Sequence, residues 1–281
     1  MKLLTLNTHS LVEENYTQKL HDFAEAVAKE QPQIIALQEV NQTACGAEVP
    51  VSHLKGYFSA DPSAVIREDN HVYNAVKLLA EKGVCYYWTW LPLKLGYDKY
   101  DEGLAVMSRS PILETSAPLV SEINDYHNWK TRKLLGIRTE YLPEEWFYSV
   151  HFGWWNDAEE PFQKQWKKTD AYMMQHDCVW LLGDFNSPAE VRDEGYDMIL
   201  KSCWHDSYVL AERKDMGYTV GNVIDGWKDK IQSTCGMRID QIWCSEKKNI
   251  RSTKVLFNRV NYPVVSDHYG VIVEYEEGAE A

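Results

Sequence analysis

Apolar positions in this chain come in two kinds of run. Residues 2–7, Ile34-Ile35-Ala36-Leu37 and Val179 to Leu182 are short, nearly continuous apolar stretches of strand length. From about Tyr16 to Lys29 the pattern changes, with Leu20, Phe23, Ala24 and Val27 on one helical face until Pro32 stops it. This strand–helix–strand opening predicts an α/β sandwich rather than an all-β fold. Further on, the pattern predicts a helix over 71–82, an aromatic-rich strand over 84–91, and strands over 103–108, 133–140 and 146–151. Helices follow over 161–176 and 190–200, and strands over 178–183, 239–244, 253–258 and 270–275. Residues 41–70 and 92–101 read as loops and 205–235 as a Gly-rich loop, while the acidic tail 274–281 reads as frayed. No repeat or linker divides the chain, so 1–281 is expected to be one domain.

Polar residues recur where these strands start or stop: Asn7, Glu39, His151, Asp184, Asn186, Asp240, Asp267 and His268. The sharpest group is Gly183-Asp184-Phe185-Asn186, where the glycine breaks the apolar run. Asp184 and Asn186 stand two apart and face the same way in extended chain. A carboxylate and a carboxamide side by side can orient or deprotonate a water and hold an anion. The same pair can also tie up loop backbone in an Asx turn.

Composition narrows the chemistry. With 281 residues, 44% hydrophobic and 25% charged, the chain can bury a large core. Its net charge of −13, without a Lys/Arg block, disfavours nucleic acid as a partner. No apolar run reaches membrane-spanning length, so no membrane partner is expected. The six cysteines form no C-x-x-C pair, and Cys85, Cys178 and Cys244 sit in apolar runs. Met1–Asn7 is too short in apolar residues for an export signal, and together these features predict a cytoplasmic protein. The oxygen-rich residues favour a hard cation such as Mg²⁺ or Mn²⁺ over zinc, with Glu39 as a ligand beside Asn7 and Asp267. P-loop and G-x-S-x-G motifs are absent.

Leu6-Asn7, Leu37-Gln38-Glu39-Val40, Tyr100-Asp101-Glu102-Gly103-Leu104-Ala105, Ser149-Val150-His151-Phe152, Gly183-Asp184-Phe185-Asn186, Arg238-Ile239-Asp240 and Ser266-Asp267-His268 occur in an order that resembles the endonuclease/exonuclease/phosphatase superfamily. The resemblance implies a DNase I-like, four-layer α/β sandwich, with two packed mixed β-sheets flanked by helices, and metal-dependent phosphoester hydrolysis. It implies Glu39 as the principal Mg²⁺ ligand, Asn7 close by and Asp267 supporting the metal. Asp184 would activate water, Asn186 would hold water and phosphate, and His151 and His268 would contact phosphoryl oxygens. Glu102 and Asp240 would each orient an imidazole and keep it cationic near neutral pH. Tyr100 would contact phosphate.

The superfamily takes nucleic acids, lipids and small phosphate esters, so the substrate must be read elsewhere. Five tryptophans fall at predicted loop positions: Trp129, Trp154, Trp155, Trp204 and Trp227. Trp154 and Trp155 follow His151 closely and could form a stacking platform for a sugar or base, or one could be core with the other packed beneath the loop. The segments 67–70, 88–90, 96–103 and 224–228 resemble a cytoplasmic bacterial branch that includes maltose 6′-phosphate phosphatase. That implies a small phosphorylated sugar, with Lys94, Lys99, Arg132 and Arg192 as candidate cations, each equally readable as a surface charge. A DNase I-like or abasic-site nuclease and a non-catalytic binding module are the alternatives.

Overall fold

Two β-sheets lie face to face between two pairs of helices in the computed structural model, which describes residues 1–221 and 236–277. The elements run β1 (Lys2–Asn7), α1 (Tyr16–Glu30), β2 (Ile34–Thr43), α2 (His71–Glu81), β3 (Tyr87–Gly96), β4 (Tyr100–Ser108), β5 (Ile112–Ser116), β6 (Leu135–Thr139) and β7 (Glu145–His151). They continue α3 (Phe162–Met173), β8 (Cys178–Asp184), α4 (Gly195–Lys201), β9 (His205–Asp206), α5 (Ser207–Leu210), β10 (Arg213–Lys214), β11 (Asp240–Cys244), β12 (Asn249–Leu256) and β13 (Gly270–Glu276).

The first sheet has the order β10-β12-β13-β1-β2-β4-β3 and the second β5-β6-β7-β8-β11-β9. Both are mixed, because β1–β2 and β7–β8 are parallel while most other pairs are antiparallel. Side-chain alternation builds the layers. On β1, Leu3 joins the core between the sheets, whereas Leu4 and Leu6 face α1 and α2 with Leu20, Phe23 and Leu79. On β8, Trp180 and Leu182 pack between the sheets, whereas Val179 and Leu181 meet Phe162, Trp166 and Ile199 from α3 and α4. The result is the four-layer sandwich expected from the family resemblance. No helix among the described residues is long and apolar enough to cross a membrane.

Several sequence expectations shift. Pro92 lies inside β3 rather than opening a loop, because β3 is an edge strand with a bulge at Pro92/Lys94. Gln38 and Glu39 lie within β2, which runs on to Thr43. Gly183 does not break β8: a Cβ there would stand 1.9 Å from the Val150 carbonyl oxygen, so glycine is what lets β7 and β8 close up. Residues 205–214 hold short elements rather than loop alone. Trp204 is buried, with its indole N–H donating to Asp170. Trp227 and the rest of 224–228, Cys235, and the end of the acidic tail lie outside the described residues.

His71, at the start of α2, illustrates how the helical layer is held. It is buried against Tyr16 and Phe23, with the Tyr16 hydroxyl 3.1 Å from Nδ1. Burial lowers its pKa to about 3, so the folded state keeps it neutral. An unfolded histidine titrates near 6.5, so below that pH the unfolded chain binds the extra proton and stability falls as pH falls. Between pH 7 and pH 5 this contributes a loss of about 2 kcal/mol. Denaturant unfolding should show that His71→Gln, whatever its stability at pH 7, loses about 2 kcal/mol less than wild type over this interval.

Candidate active site

Alternation along the strands decides which side chains reach the end of the inter-sheet layer. Leu3 on β1, Phe147 on β7, Trp180 and Leu182 on β8, Ile242 and Cys244 on β11, and Leu104 and Val106 on β4 all pack between the sheets. Asn7, His151, Asp184, Asp240 and Glu102 have the same parity on those strands and so point the same way. Glu39 arrives by a different device. Its neighbour Leu37 faces the helices, but the β2–β4 register slips between Leu37 and Val40, and Glu39 takes φ 51°. This bulge turns its carboxylate into the cleft.

The convergent point is Asp184 Oδ2. Asp184 Oδ1 accepts the Asn186 backbone N–H at 2.8 Å, which is the Asx arrangement. Around Oδ2 lie Asn7 Nδ2 and Asn186 Nδ2, both at 3.3 Å, His151 Nε2 at 3.5 Å and His268 Nε2 at 3.9 Å. Asn186, at φ 46°, also donates to the Phe152 carbonyl at 3.0 Å. Asn7 Nδ2 reaches Glu39 Oε1 at 2.9 Å, and His151 Nε2 stands 4.0 Å from the same oxygen. His268 Nδ1 is 2.9 Å from Asp240 Oδ2. Ser266 Oγ donates to the Asn7 carbonyl at 2.7 Å, tying the 266–268 loop to the end of β1. Glu39 thus lines the same cleft as the Asp184–Asn186 and Asp267–His268 pairs.

The two imidazoles differ. Burial and the fields of Arg132, Lys94 and His268 hold His151 well below the usual histidine range, so it is neutral. His268 is held well above that range: burial opposes its charge, but Asp240, Asp184 and Asp267 outweigh it. Burial also raises Asp184 to about 7, helped by Asp240 and Glu39 and opposed by His268. Burial, Glu102 and Asp267 push Glu39 upward.

Some expected roles change place. Glu102 orients no imidazole; its Oε1 binds Lys94 Nζ at 3.0 Å, because the β3 bulge sets Lys94 opposite it. Both imidazoles were expected to be cationic; among the described residues His268 has Asp240 at hydrogen-bond distance, whereas the carboxylate nearest His151, that of Asp184, stands at 3.5 Å. Asn7 presents its NH₂ to two carboxylates while its oxygen accepts the His9 N–H, so it bridges Glu39 and Asp184. Tyr100 is buried, its hydroxyl 2.9 Å from Lys99 Nζ and turned toward the Leu11 carbonyl. Trp155 packs toward Phe162, whereas Trp154 lines the cleft beside Trp129, with ring centroids 5.5 Å apart. Of the four candidate cations, Lys94 and Arg132 line the cleft; Lys99 is exposed over the Tyr100 ring, and Arg192 pairs with Asp197.

The cleft has a volume of about 260 Å³. His9 and Tyr97 also line it, with Glu13 bonded to His9, and none of the three was singled out from the sequence. His9 Nδ1 is 2.7 Å from Glu13 and its Nε2 3.1 Å from the Tyr97 hydroxyl. Burial opposes protonation of His9, but Glu13, Asp267 and Glu39 raise it to about 9. Its place two residues after Asn7 was the available signal. Among the described residues, Asp184, Asp240 and His268 bring possible donor atoms within 4.8 Å of one another, as do His9, Glu13 and Asp267. A larger cavity, about 720 Å³, lies between Met1, Glu30, Arg109 and Tyr141 and shares no residue with this set.

A family model described as "Endonuclease/Exonuclease/phosphatase family" matches residues 4–268. No curated protein matches significantly. An endonuclease/exonuclease/phosphatase family protein from Leptotrichia buccalis C-1013-b is 30% identical with a TM-score of 0.86, and the match covers 99% of this chain and 100% of that one. A mannosyl-6-phosphatase from Bacteroides thetaiotaomicron VPI-5482 shares the fold at 17% identity and TM-score 0.61, covering 99% and 100%. So does a 3′ phosphatase from Neisseria bound to a product DNA hairpin, at 18% and 0.61, also covering 99% and 100%.

The Asp240–His268 contact generates a direct test. Asp240→Asn should lower the His268 titration, read from imidazole ¹⁵N shifts, since the charged partner is gone. An imidazolium equally persistent in the variant would show that Asp240 does not hold it.

Proposed function

Because the chain belongs to the endonuclease/exonuclease/phosphatase family, whose members are phosphoester hydrolases, we propose that it is a phosphatase acting on a small phosphorylated sugar of the maltose 6′-phosphate kind. The observation that carries the chemistry is the crowding of two amide donors and two imidazoles around one buried carboxylate oxygen of Asp184. In this reading Asp184 takes a proton from water as the water oxygen bonds to phosphorus in line with the departing sugar oxygen. The P–O bond to the sugar breaks, and the departing sugar oxygen takes a proton from solvent to become a hydroxyl, while Asp184 later returns its own proton to solvent. His268 and Asn186 face the phosphoryl oxygens where charge grows, and neutral His151 donates a hydrogen bond there. Asp240 holds His268, and Asn7 spaces Glu39 from Asp184.

Glu39 is the residue whose environment fits a cation. It faces the cleft, and among the described residues no Lys or Arg nitrogen lies within 4 Å of it. Its hydrogen-bond partner is the neutral Asn7 amide. A hard oxygen site of this kind suits Mg²⁺ or Mn²⁺, held by Glu39 with Asp267 on the same rim. When bound, the ion supplies Lewis-acid stabilisation of the phosphoryl group.

The substrate reading rests on the cleft. Its volume suits a small ligand, and Trp129 and Trp154 offer ring faces and edges to a sugar. The net charge of −13 weighs against the nuclease alternative. The mannosyl-6-phosphatase fold neighbour is in keeping with the sugar reading. Cys178 and Cys244 lie in the inter-sheet core as small apolar groups, in keeping with a cytoplasmic protein. The whole chain is taken as one catalytic domain.

Release of phosphate from a panel of sugar phosphates, set against plasmid nicking, tests the substrate class. Sugar phosphates should be the better substrates, and efficient nicking without sugar-phosphate turnover would sink the proposal. Asp184→Asn and His268→Ala should each lower kcat by ~10²-fold or more with thermal unfolding little changed. EDTA should abolish turnover, and Mg²⁺ or Mn²⁺ should restore it. Trp154→Ala or Trp129→Ala should raise KM more than it lowers kcat, whereas Trp155→Ala should chiefly lower thermal stability.

A further inference from the structure

Arg132 and Lys94 are the unexplained charges of the cleft. Arg132 is 4% exposed, yet among the described residues no carboxylate pairs with it. Its Nη1 donates to the Trp129 carbonyl at 2.7 Å and the Thr131 carbonyl at 3.3 Å, while Nε is buried without a partner. Lys94 is 7% exposed and donates to the same Trp129 carbonyl at 3.2 Å, and among the described residues Glu102 is its one bonded carboxylate. Two buried cations therefore share one neutral acceptor and a single bonded counter-charge.

Folding alone does not favour that arrangement, since like charges out of water repel and an unpaired buried guanidinium is costly. Apolar residues of the same size would pack with less penalty. An anion entering the cleft removes the penalty, and a guanidinium with unused donors matches phosphate oxygens. Glu39, Asp184 and Asp267, which line the same cleft, repel anions, so the two cations supply the attraction. The second charge of a monoester is where an extra pair of cations discriminates, because a diester carries one negative charge and a monoester up to two near neutral pH.

We infer that Lys94 and Arg132 form a subsite for the non-bridging oxygens of a phosphate monoester dianion, and that this pair sets a preference for monoesters over diesters. The inference rests on the reading that this cleft hydrolyses phosphoesters, but not on the identity of the leaving group. Glu102 is then a positioning residue, holding Lys94 at the bulge. Because both cations hang on the carbonyl of Trp129, the loop that carries that indole also places the phosphate-binding pair.

The test uses the Mg²⁺-loaded enzyme with p-nitrophenyl phosphate and bis(p-nitrophenyl) phosphate, which contain no sugar. Wild type should prefer the monoester, and Arg132→Gln and Lys94→Met should each lower monoester kcat/KM ~10²-fold more than diester kcat/KM. Equal losses on both esters would mean the pair only buttresses the carboxylates, and the inference would be overturned. A wild-type preference for the diester would overturn it as well. Should a variant fold poorly, inhibition of wild type decides: inorganic phosphate should bind at least ~10-fold more tightly than dimethyl phosphate, and equal inhibition would remove the dianion subsite. Failure of the sugar panel with a retained monoester preference would discard the sugar and keep the subsite. Absence of turnover on every phosphoester would discard the underlying reading itself.

Discussion

The site depends on the two sheets meeting in one register, because its residues come from strands of both. Directly below the cleft, Gln38 on β2 donates through Nε2 to Ser149 Oγ on β7 at 2.9 Å, and Ser149 donates back to the Leu37 carbonyl at 2.9 Å. Thr5 on β1 donates to Gln38 Oε1 at 3.3 Å. All three side chains are fully buried, so losing any partner would strand a polar group in the core. Asn7 and His151 follow two residues after Thr5 and Ser149, and Asp184 two residues after Leu182, whose carbonyl Gln38 also approaches. A slip of one residue in either sheet would send half of the site to the opposite face.

Above that layer the cleft holds charges of both signs. Glu39, Asp184 and Asp267 line it together with Lys94 and Arg132. Of its two imidazoles, His268 is held cationic by Asp240 against the cost of burial, and His151 is kept neutral by burial and by the nearby cations. Identical side chains thereby acquire different tasks from their neighbours, as is usual where buried groups push one another's titrations apart. On the function proposed above, this mixture of signs would suit a phosphate accompanied by a metal ion.

The two bulges matter most to the chemistry, and they are where reading the chain falls short. At β2 a slip between Leu37 and Val40 brings Glu39 to the inter-sheet face, and at β3 a slip between Pro92 and Lys94 sets Lys94 opposite Glu102. Simple alternation places Glu39 on the helix-facing side with Leu37 and gives Lys94 to the face occupied by Trp88 and Trp90. In sequence, Pro92 reads as a loop opening, which hides the bulge. The tryptophans mislead for a related reason. Trp154 and Trp155 are adjacent, so local pattern cannot say which turns to the cleft and which packs toward Phe162.

What the sequence determined by itself is the set of layers and the roster of strand-end polar residues. Both follow from short-range alternation and from motifs whose order survives without coordinates. The α1 and α2 spans, the buried β8 strand and the Asp184–Asn186 pair were all legible in this way. Only the tertiary structure decided the partners: Glu102 with Lys94, Asp240 with His268, Asn7 between two carboxylates, and Arg132 buried with its charge unpaired among the described residues. Partnership joins residues far apart in the chain, and a bond between them exists only once strand register and bulges have fixed where each side chain ends.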